Sequence, residues 1–396
     1  MRFAWSLGSS LLAVSLIGCA AAPADDGDVF APGLSKYEHV FHDVPSNGSL
    51  PDIGKADAVY PAKSTELLQW QSPVKDQNRR GVCTIFTTTG LMEHLYIKAG
   101  MMNPSFSEQY LQWAVKVQEG ILPNSEGSNI SDNVQAIHDY GIVDEATDPY
   151  NGTQWTAAND PDCKPDGTET QQLPAKCWTQ GDPPAAAKTA MKYFLPSGQF
   201  INTTDIKAHI TSEHTAVGVG IDFFYQAWNH GASKLPIDRA QLKLGVVRYP
   251  NQDDIASSHT QRAGHGILIV GWDDNLQFQA VDKDDKPVVD ASGNPVMQKG
   301  FYIFKNSWGT SVWGSENPYG AGYGYISEKY IEDFGTAYVT SVPDLSNNNP
   351  PPPPPPPGTC TYNCSDYGFS AGQCDQGWQC DAQGQCLTQT ASGTCP

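Results

Sequence analysis

Three side chains in this 396-residue chain have the types and settings for thiol chemistry: Cys83, His265 and Asn306. A cysteine becomes a nucleophile when it is held as thiolate, with a base beside it and a third group orienting that base. Cys83 ends the polar, glycine-containing loop from Ser72 to Val82, and behind it Ile85, Thr89, Met92 and Tyr96 recur at helical spacing. The thiol therefore sits where a helix starts, and backbone N–H groups and the helix dipole there favour negative charge. The helix is poor in helix formers: Thr87, Thr88, Thr89 and Gly90 each cost a few tenths to about 1 kcal/mol relative to alanine. Only tertiary burial holds such a segment, which implies a central, buried helix. Taken by itself the stretch also fits an inert buried cysteine, a common fate for free thiols.

Nine histidines are available as the base. His94 and His138 fall in helical patterns, and His39 and His42 in a polar leader. His265 instead opens an apolar, β-branched run from Gly264 to Trp272, with the length of a buried strand. A second such run, Gly300 to Trp308, follows a polar segment with turn signals at Asp284-Asp285 and Ser292-Gly-Asn294. Paired as an antiparallel hairpin with Trp272 opposite Lys299, the two runs set His265 directly across from Asn306. The amide then accepts from one ring nitrogen and leaves the other aimed at a sulfur.

These elements need a globular body, and the chain divides to supply one. Residues 1–18 carry one charge at Arg2 and an apolar run too short to span a membrane, which is the pattern of a secretion signal. Its ending, Leu16-Ile-Gly-Cys19, resembles the bacterial lipobox. That implies Cys19 as the lipid-modified first residue and, with Ala20 following, the outer membrane or cell surface as destination. An ordinary signal cut after Ala20 to Ala22, giving a secreted protein, is the alternative. Residues 19–60 read as a tether and 61–343 as the globular domain. Residues 344–358 hold eight consecutive prolines, a polyproline rod of roughly 25 Å. Six of the ten cysteines crowd into 359–396, a small disulfide-stapled module. With Cys19 assigned to lipid, Cys163 and Cys177 remain as a bridge in a loop-rich region, and Cys83 alone lacks a partner. The net charge of −19 argues against nucleic acid or anionic lipid as partner. Asp282-Lys-Asp-Asp285 lacks the spacing of a calcium loop, and neither metal nor cofactor is expected.

Gln77, Gly81-x-Cys83, the block from Gly264-His265-Gly266 to Gly271, and Lys305-Asn306-Ser-Trp308-Gly309 resemble, in order, the motif blocks of papain-like cysteine peptidases. Phe106-Ser-Glu-Gln109, Tyr140 to Glu145 and Asp148-Pro-Tyr150 resemble supporting blocks, so the likeness covers roughly residues 61 to 335. It implies an α+β, papain-like two-lobe fold: a helical first lobe opened by the Cys83 helix, and an antiparallel β-barrel carrying His265 and Asn306. It further implies Cys83 as nucleophile, His265 as base and then acid, Asn306 as orienting group, and Gln77 with the Cys83 N–H as oxyanion donors. A thiolate–imidazolium pair would form before substrate arrives. Trp308 would shield the site, and Gly127-Ser128 resembles the segment that pairs with substrate backbone. The substrate would be a protein or peptide, with the membrane touched through the lipid anchor alone.

Departures from the family pattern qualify this picture. Arg80 stands where the family has a disulfide cysteine, and Thr84 where it has a tryptophan. Insertions lengthen the chain at 151–200 and near 275–298, and either is placed to rim the cleft. Two other readings are a non-catalytic surface protein using the fold as a peptide-binding groove, its cysteine-rich module engaging a surface partner, and an acyltransferase or transglutaminase. The complete set of Gln77, Cys83, His265 and Asn306 argues against the first, and the local motifs at both ends against the second. The leader is too short to build the family's inhibitory propeptide, so no proteolytic activation is expected. A mature form starting far downstream of Cys19, seen only when Cys83 is intact, would count against that.

Overall fold

A computed structural model describes residues 32–36, 59–165 and 173–345, positions 45 and 50, and short stretches of the tail between 364 and 389. The helix expected behind Cys83 is α1, Cys83–Lys98, and fourteen of its sixteen residues are buried. It has no polar face, so its stability comes from its surroundings, and two of its threonines are neutralised locally. Thr88 and Thr89 donate to the carbonyls of Thr84 and Ile85, the back-bonding available to hydroxyls inside a helix. Around it pack α2, Glu108–Trp113, and α3, Ile130–Tyr140. Ser107 and Asn129 cap these by accepting from the Tyr110 and Asp132 N–H groups. Gly141, at φ 65°, ends α3 where a side chain would meet Lys192 and Phe194.

The second lobe is a sheet. Its strands are β1 (Ser35–Lys36), β2 (Lys63–Ser64), β3 (Gly198–Ile201), β4 (Val217–Asp222), β5 (Val246–Val247), β6 (Ala263–Gln279), β7 (Met297–Lys305), β8 (Tyr323–Ser327) and β9 (Gly335–Thr340). The hydrogen-bonded order is β3-β9-β4-β6-β7-β8-β5, with β1 and β2 also on β6. All pairs are antiparallel except β5 with β8. This is the expected α+β, two-lobe arrangement. Three short strands, β10 (Cys374–Asp375), β11 (Trp378–Cys380) and β12 (Leu387–Gln389), and the Cys364–Cys380 disulfide make up what is described of the tail.

The β6–β7 hairpin forms, but its register differs from the one expected. Trp272 faces Tyr302, not Lys299: the register is already offset by two residues at Leu268↔Lys305, and it slips further at Ile269/Gly271 and again at Asp273/Gln277. Such bulges insert extra residues on one strand and are invisible to a count that assumes perfect alternation. The insertion near 275–298 is the far end of this hairpin, closed by bridges Val281↔Pro287 and Val289↔Pro295. Asp282 sits in its turn, accepting from the Asp284 and Lys286 N–H groups. The other insertion carries the expected Cys163–Cys177 disulfide. Cys83 is the free cysteine among the described residues.

The lobes are joined by short backbone pairing, with Gln77 N on Ser307 O at 2.9 Å and Gly309 N on Lys75 O at 3.1 Å. Beneath it lies a charge cluster. Lys75 Nζ contacts Glu93 Oε1 at 2.8 Å and Glu108 Oε1 at 2.9 Å, both carboxylates being 1% exposed. Lys305 Nζ donates to Ser72 O and Oγ, and Ser72 in turn to Glu93. Burial pushes the Lys75 ammonium down, but the carboxylates of Glu108 and Glu93 outweigh it and hold the charged form. Removing one partner of a buried pair leaves an uncompensated charge. Lys75→Met is therefore expected to cost about 3 kcal/mol, the low end of the buried-pair range because a quarter of that side chain is exposed, read by urea denaturation.

Candidate active site

Cys83 lies at the first turn of α1, which packs against β6 at Gly266. A Cβ there would stand 3.0 Å from the Thr84 Cα and from the Thr87 hydroxyl. Glycine at 266 therefore sets the closeness of α1 to the strand that carries His265. His265 is fully buried and pairs with Ile221 on β4. Its Nε2 donates to Asn306 Oδ1 at 2.8 Å. Asn306 reaches it from the turn after β7, where its N–H bonds Gly322 O, and not from a facing strand position. The contact expected from the hairpin is thus present although the register that predicted it is not. With the proton on Nε2, Nδ1 is the basic nitrogen, and it has no hydrogen-bond partner among the described residues.

An aromatic shell encloses the imidazole. Trp308 lies over it at 4.6 Å between centroids, Trp228 meets it edge-on at 5.1 Å, and Phe223 at 6.0 Å. Trp313 stacks behind Trp228. Trp308, expected as the shield, is there; Trp228 and Phe223 carried no motif and were missed.

Gln77 is fully buried, with Oε1 accepting from Ser307 Oγ at 2.6 Å, which turns Nε2 toward the cleft. That nitrogen donates to Arg80 O at 2.7 Å and to Gly33 O at 2.8 Å. The second acceptor comes from the segment read as a tether. Residues 32–36 run through the site: Gly33 N bonds Asn78 O, and Ser35 and Lys36 pair with Gly264 and Ala263 beside His265. Ser35 Oγ donates to Gly81 O at 2.9 Å and sits 3.3 Å from Cys83 Sγ. With the hydroxyl proton on Gly81, the Cys83 S–H is the donor in the second contact. A Cβ on Gly33 would fall 2.2 Å from Arg80 O, so only glycine passes there. Part of the leader expected as a tether, residues 32–36, thus lies against Cys83, Gln77 and the His265 strand. Nothing in its composition marked it, because a five-residue dock has no periodicity.

Burial dominates the electrostatics of this occupied state. It raises the Cys83 thiol above its ordinary value, against the lowering hydrogen bonds of Ser35, Gly266 and Thr84. The same burial lowers His265 to about 3, with the Asn306 bond opposing it. Burial thus works against the charged forms of both groups, and so against the expected ion pair. His230 is likewise pushed down by burial, to about 4, and its Nε2 approaches Pro32 O at 3.4 Å.

Gly127 and Ser128 lie beside α1, but their carbonyls already accept from Lys116 Nζ and Thr84 Oγ1. Thr84, in place of the family's tryptophan, thus ties α1 to this segment. Cys19 is outside the described residues, as are His39 and His42. No helix among the described residues is long and apolar enough to cross a membrane. The two disulfides are consistent with export.

Residues 65–337 match the family model described as papain family cysteine protease, and the chain belongs to that family. Among solved structures it is similar to xylellain, a cysteine protease from Xylella fastidiosa, at 18% identity and TM-score 0.46, covering 79% of this chain and 98% of that one. It is also similar to Amb a 11, a ragweed pollen cysteine protease in its proform, at 16% and 0.48, covering 80% and 77%. The cysteine protease and lectin-like domains of Cwp84 from Clostridium difficile match at 19% and 0.47, covering 80% and 62%. A comparison with curated proteins finds no match.

A raised, buried thiol should react slowly. Iodoacetamide is expected to label Cys83 of the intact chain at pH 7.5 about tenfold or more slower than free cysteine, with the rate still climbing above pH 9. Labelling as fast as free cysteine, followed by mass spectrometry, would contradict the buried neutral thiol.

Proposed function

We propose that this chain is a cysteine peptidase that hydrolyses peptide bonds through an acyl-enzyme on Cys83, held latent by its own residues 32–36. The observation that carries it is the bond from His265 Nε2 to Asn306 Oδ1, which leaves Nδ1 as the base for the thiol. Once a peptide replaces the segment, His265 takes the Cys83 proton, the sulfur attacks the carbonyl carbon, and the negative oxygen takes the place of the Gly33 carbonyl against Gln77 Nε2. Protonated His265 then gives its proton to the leaving amine. Water, deprotonated by the same nitrogen, cleaves the thioester and restores the enzyme. Trp308 and Trp228 keep bulk water from the His265–Asn306 bond.

The dependence on residues 32–36 reverses the expectation of an enzyme needing no activation: removal or displacement of the segment precedes turnover. Lipidation at Cys19 and delivery to an outer membrane or cell surface belong to the same reading, with residues 19–60 serving as both tether and plug. A peptide-binding protein without catalysis would need neither the oriented tautomer nor the Gln77 donor.

The test uses the full chain under reducing conditions with a fluorogenic peptide library. Cys83→Ala and His265→Ala are expected to lower hydrolysis by about 10³-fold or more. Gly33→Ala, which clashes with Arg80 O, should raise it about tenfold by expelling the segment. A folded Gly33→Ala protein whose hydrolysis equals that of Cys83→Ala would end the peptidase reading in favour of the binding one.

A further inference from the structure

We propose that Arg80 is a positioning residue for Cys83, acting through a buried ion pair with Glu126 that does the work of the missing disulfide; this rests on the peptidase reading above. The guanidinium is 1% exposed. Its Nε bonds Glu126 Oε1 at 3.0 Å, Nη1 bonds Gln109 Oε1 and Asn151 O at 3.0 Å each, and Nη2 bonds Trp178 O at 2.6 Å. Its carbon lies 5.2 Å from the centre of the Tyr150 ring, and the Tyr150 hydroxyl donates to Gln77 O.

The second carboxylate oxygen of Glu126 connects this hub to the site. It accepts from the Gly81 N–H at 2.8 Å, so the ion pair grips the side chain of residue 80 and the backbone of residue 81 together. Two residues on is Cys83, whose N–H would complete the oxyanion site with Gln77. The Arg80 carbonyl also receives a proton of Gln77 Nε2. Both oxyanion donors are therefore spaced by a loop whose middle is fixed by one charge pair. Glu126 immediately precedes Gly127-Ser128, so the pair spans from the nucleophile loop to that segment, as a covalent bridge would. An arginine is suited to this role because its planar fork serves four acceptors at once, which a lysine cannot. Neither group touches Cys83 Sγ, so the effect is on position. The hub also explains the first insertion: Asn151 and Trp178 lie at the two ends of the stretch stapled by Cys163–Cys177, and each gives it a carbonyl.

Removing one partner alone would bury an unpaired charge and confuse folding with positioning. The informative protein is the full chain with Arg80→Met and Glu126→Met together, beside Arg80→Lys, each also combined with Gly33→Ala so that the leader does not mask the thiol. The double variant is expected to unfold in one transition like its parent and to keep KM within about threefold, while kcat falls about 30- to 100-fold, as for a small misplacement of a reacting group. Arg80→Lys should recover only part of kcat. A folded double variant with the parental kcat would overturn the proposal. If the parent shows no Cys83-dependent hydrolysis, the peptidase reading fails instead. Positioning is then read from iodoacetamide labelling of Cys83, expected to slow at least about fivefold in the double variant. An unchanged rate would overturn it.

Discussion

Everything in this molecule turns on how closely the first turn of α1 approaches β6. At Gly266 there is no room for a side chain beside Thr84, and this contact sets the start of α1, with Cys83, against the strand that carries His265. The approach leaves most of α1 buried, where threonine hydroxyls bond back to their own helix and Glu93 needs Lys75 and Ser72. A helix of weak intrinsic propensity is tolerated because the sheet and the charge cluster hold it from outside.

That same burial decides the chemistry of the resting site. A helix N-terminus offers a thiolate about 1 kcal/mol of help, whereas loss of water costs a buried charge more than this. With Ser35 over the sulfur, burial raises the thiol and lowers His265, which favours the neutral form of each. On the peptidase reading proposed above, silence and reactivity are separated by whether the cleft holds water and peptide or the chain's own leader. On that reading the leader occupies the Gln77 donor a substrate would use, so it needs no surface of its own to dock on.

How much of this the sequence disclosed follows from the range of the interactions involved. The helix start at Cys83, the pairing of the two apolar runs and the Cys163–Cys177 bridge are written in local periodicity and in cysteine spacing. The His265–Asn306 contact was read correctly from a register that is wrong. The pairing starts two residues out of the expected register and drifts further through two bulges, and Asn306 reaches back from the turn beyond β7. Alternation counts see neither the offset nor a bulge. Ser35 and Gly33 read as tether in the sequence because their signal is a fit to groups 44 to 48 residues away. Trp228 and Phe223 sit in an apolar stretch whose use as a shell depends on the fold alone.

Arg80 shows the most instructive mixture. Its oddity was plain, an arginine where a cysteine is usual beside the nucleophile, but the partner Glu126 was not, since any of 43 acidic residues would serve on charge alone. The exchange has a chemical consequence for a protein that carries a free thiol beside disulfides. A cysteine three residues from Cys83 would offer that thiol a disulfide to attack, and exchange through a mixed disulfide is rapid for an activated sulfur. An ion pair holds the same loop and presents nothing for the sulfur to exchange with. The Cys163–Cys177 and Cys364–Cys380 bridges lie in the first insertion and the tail. The loop that presents Cys83 is held by Arg80 and Glu126 rather than by a bridge.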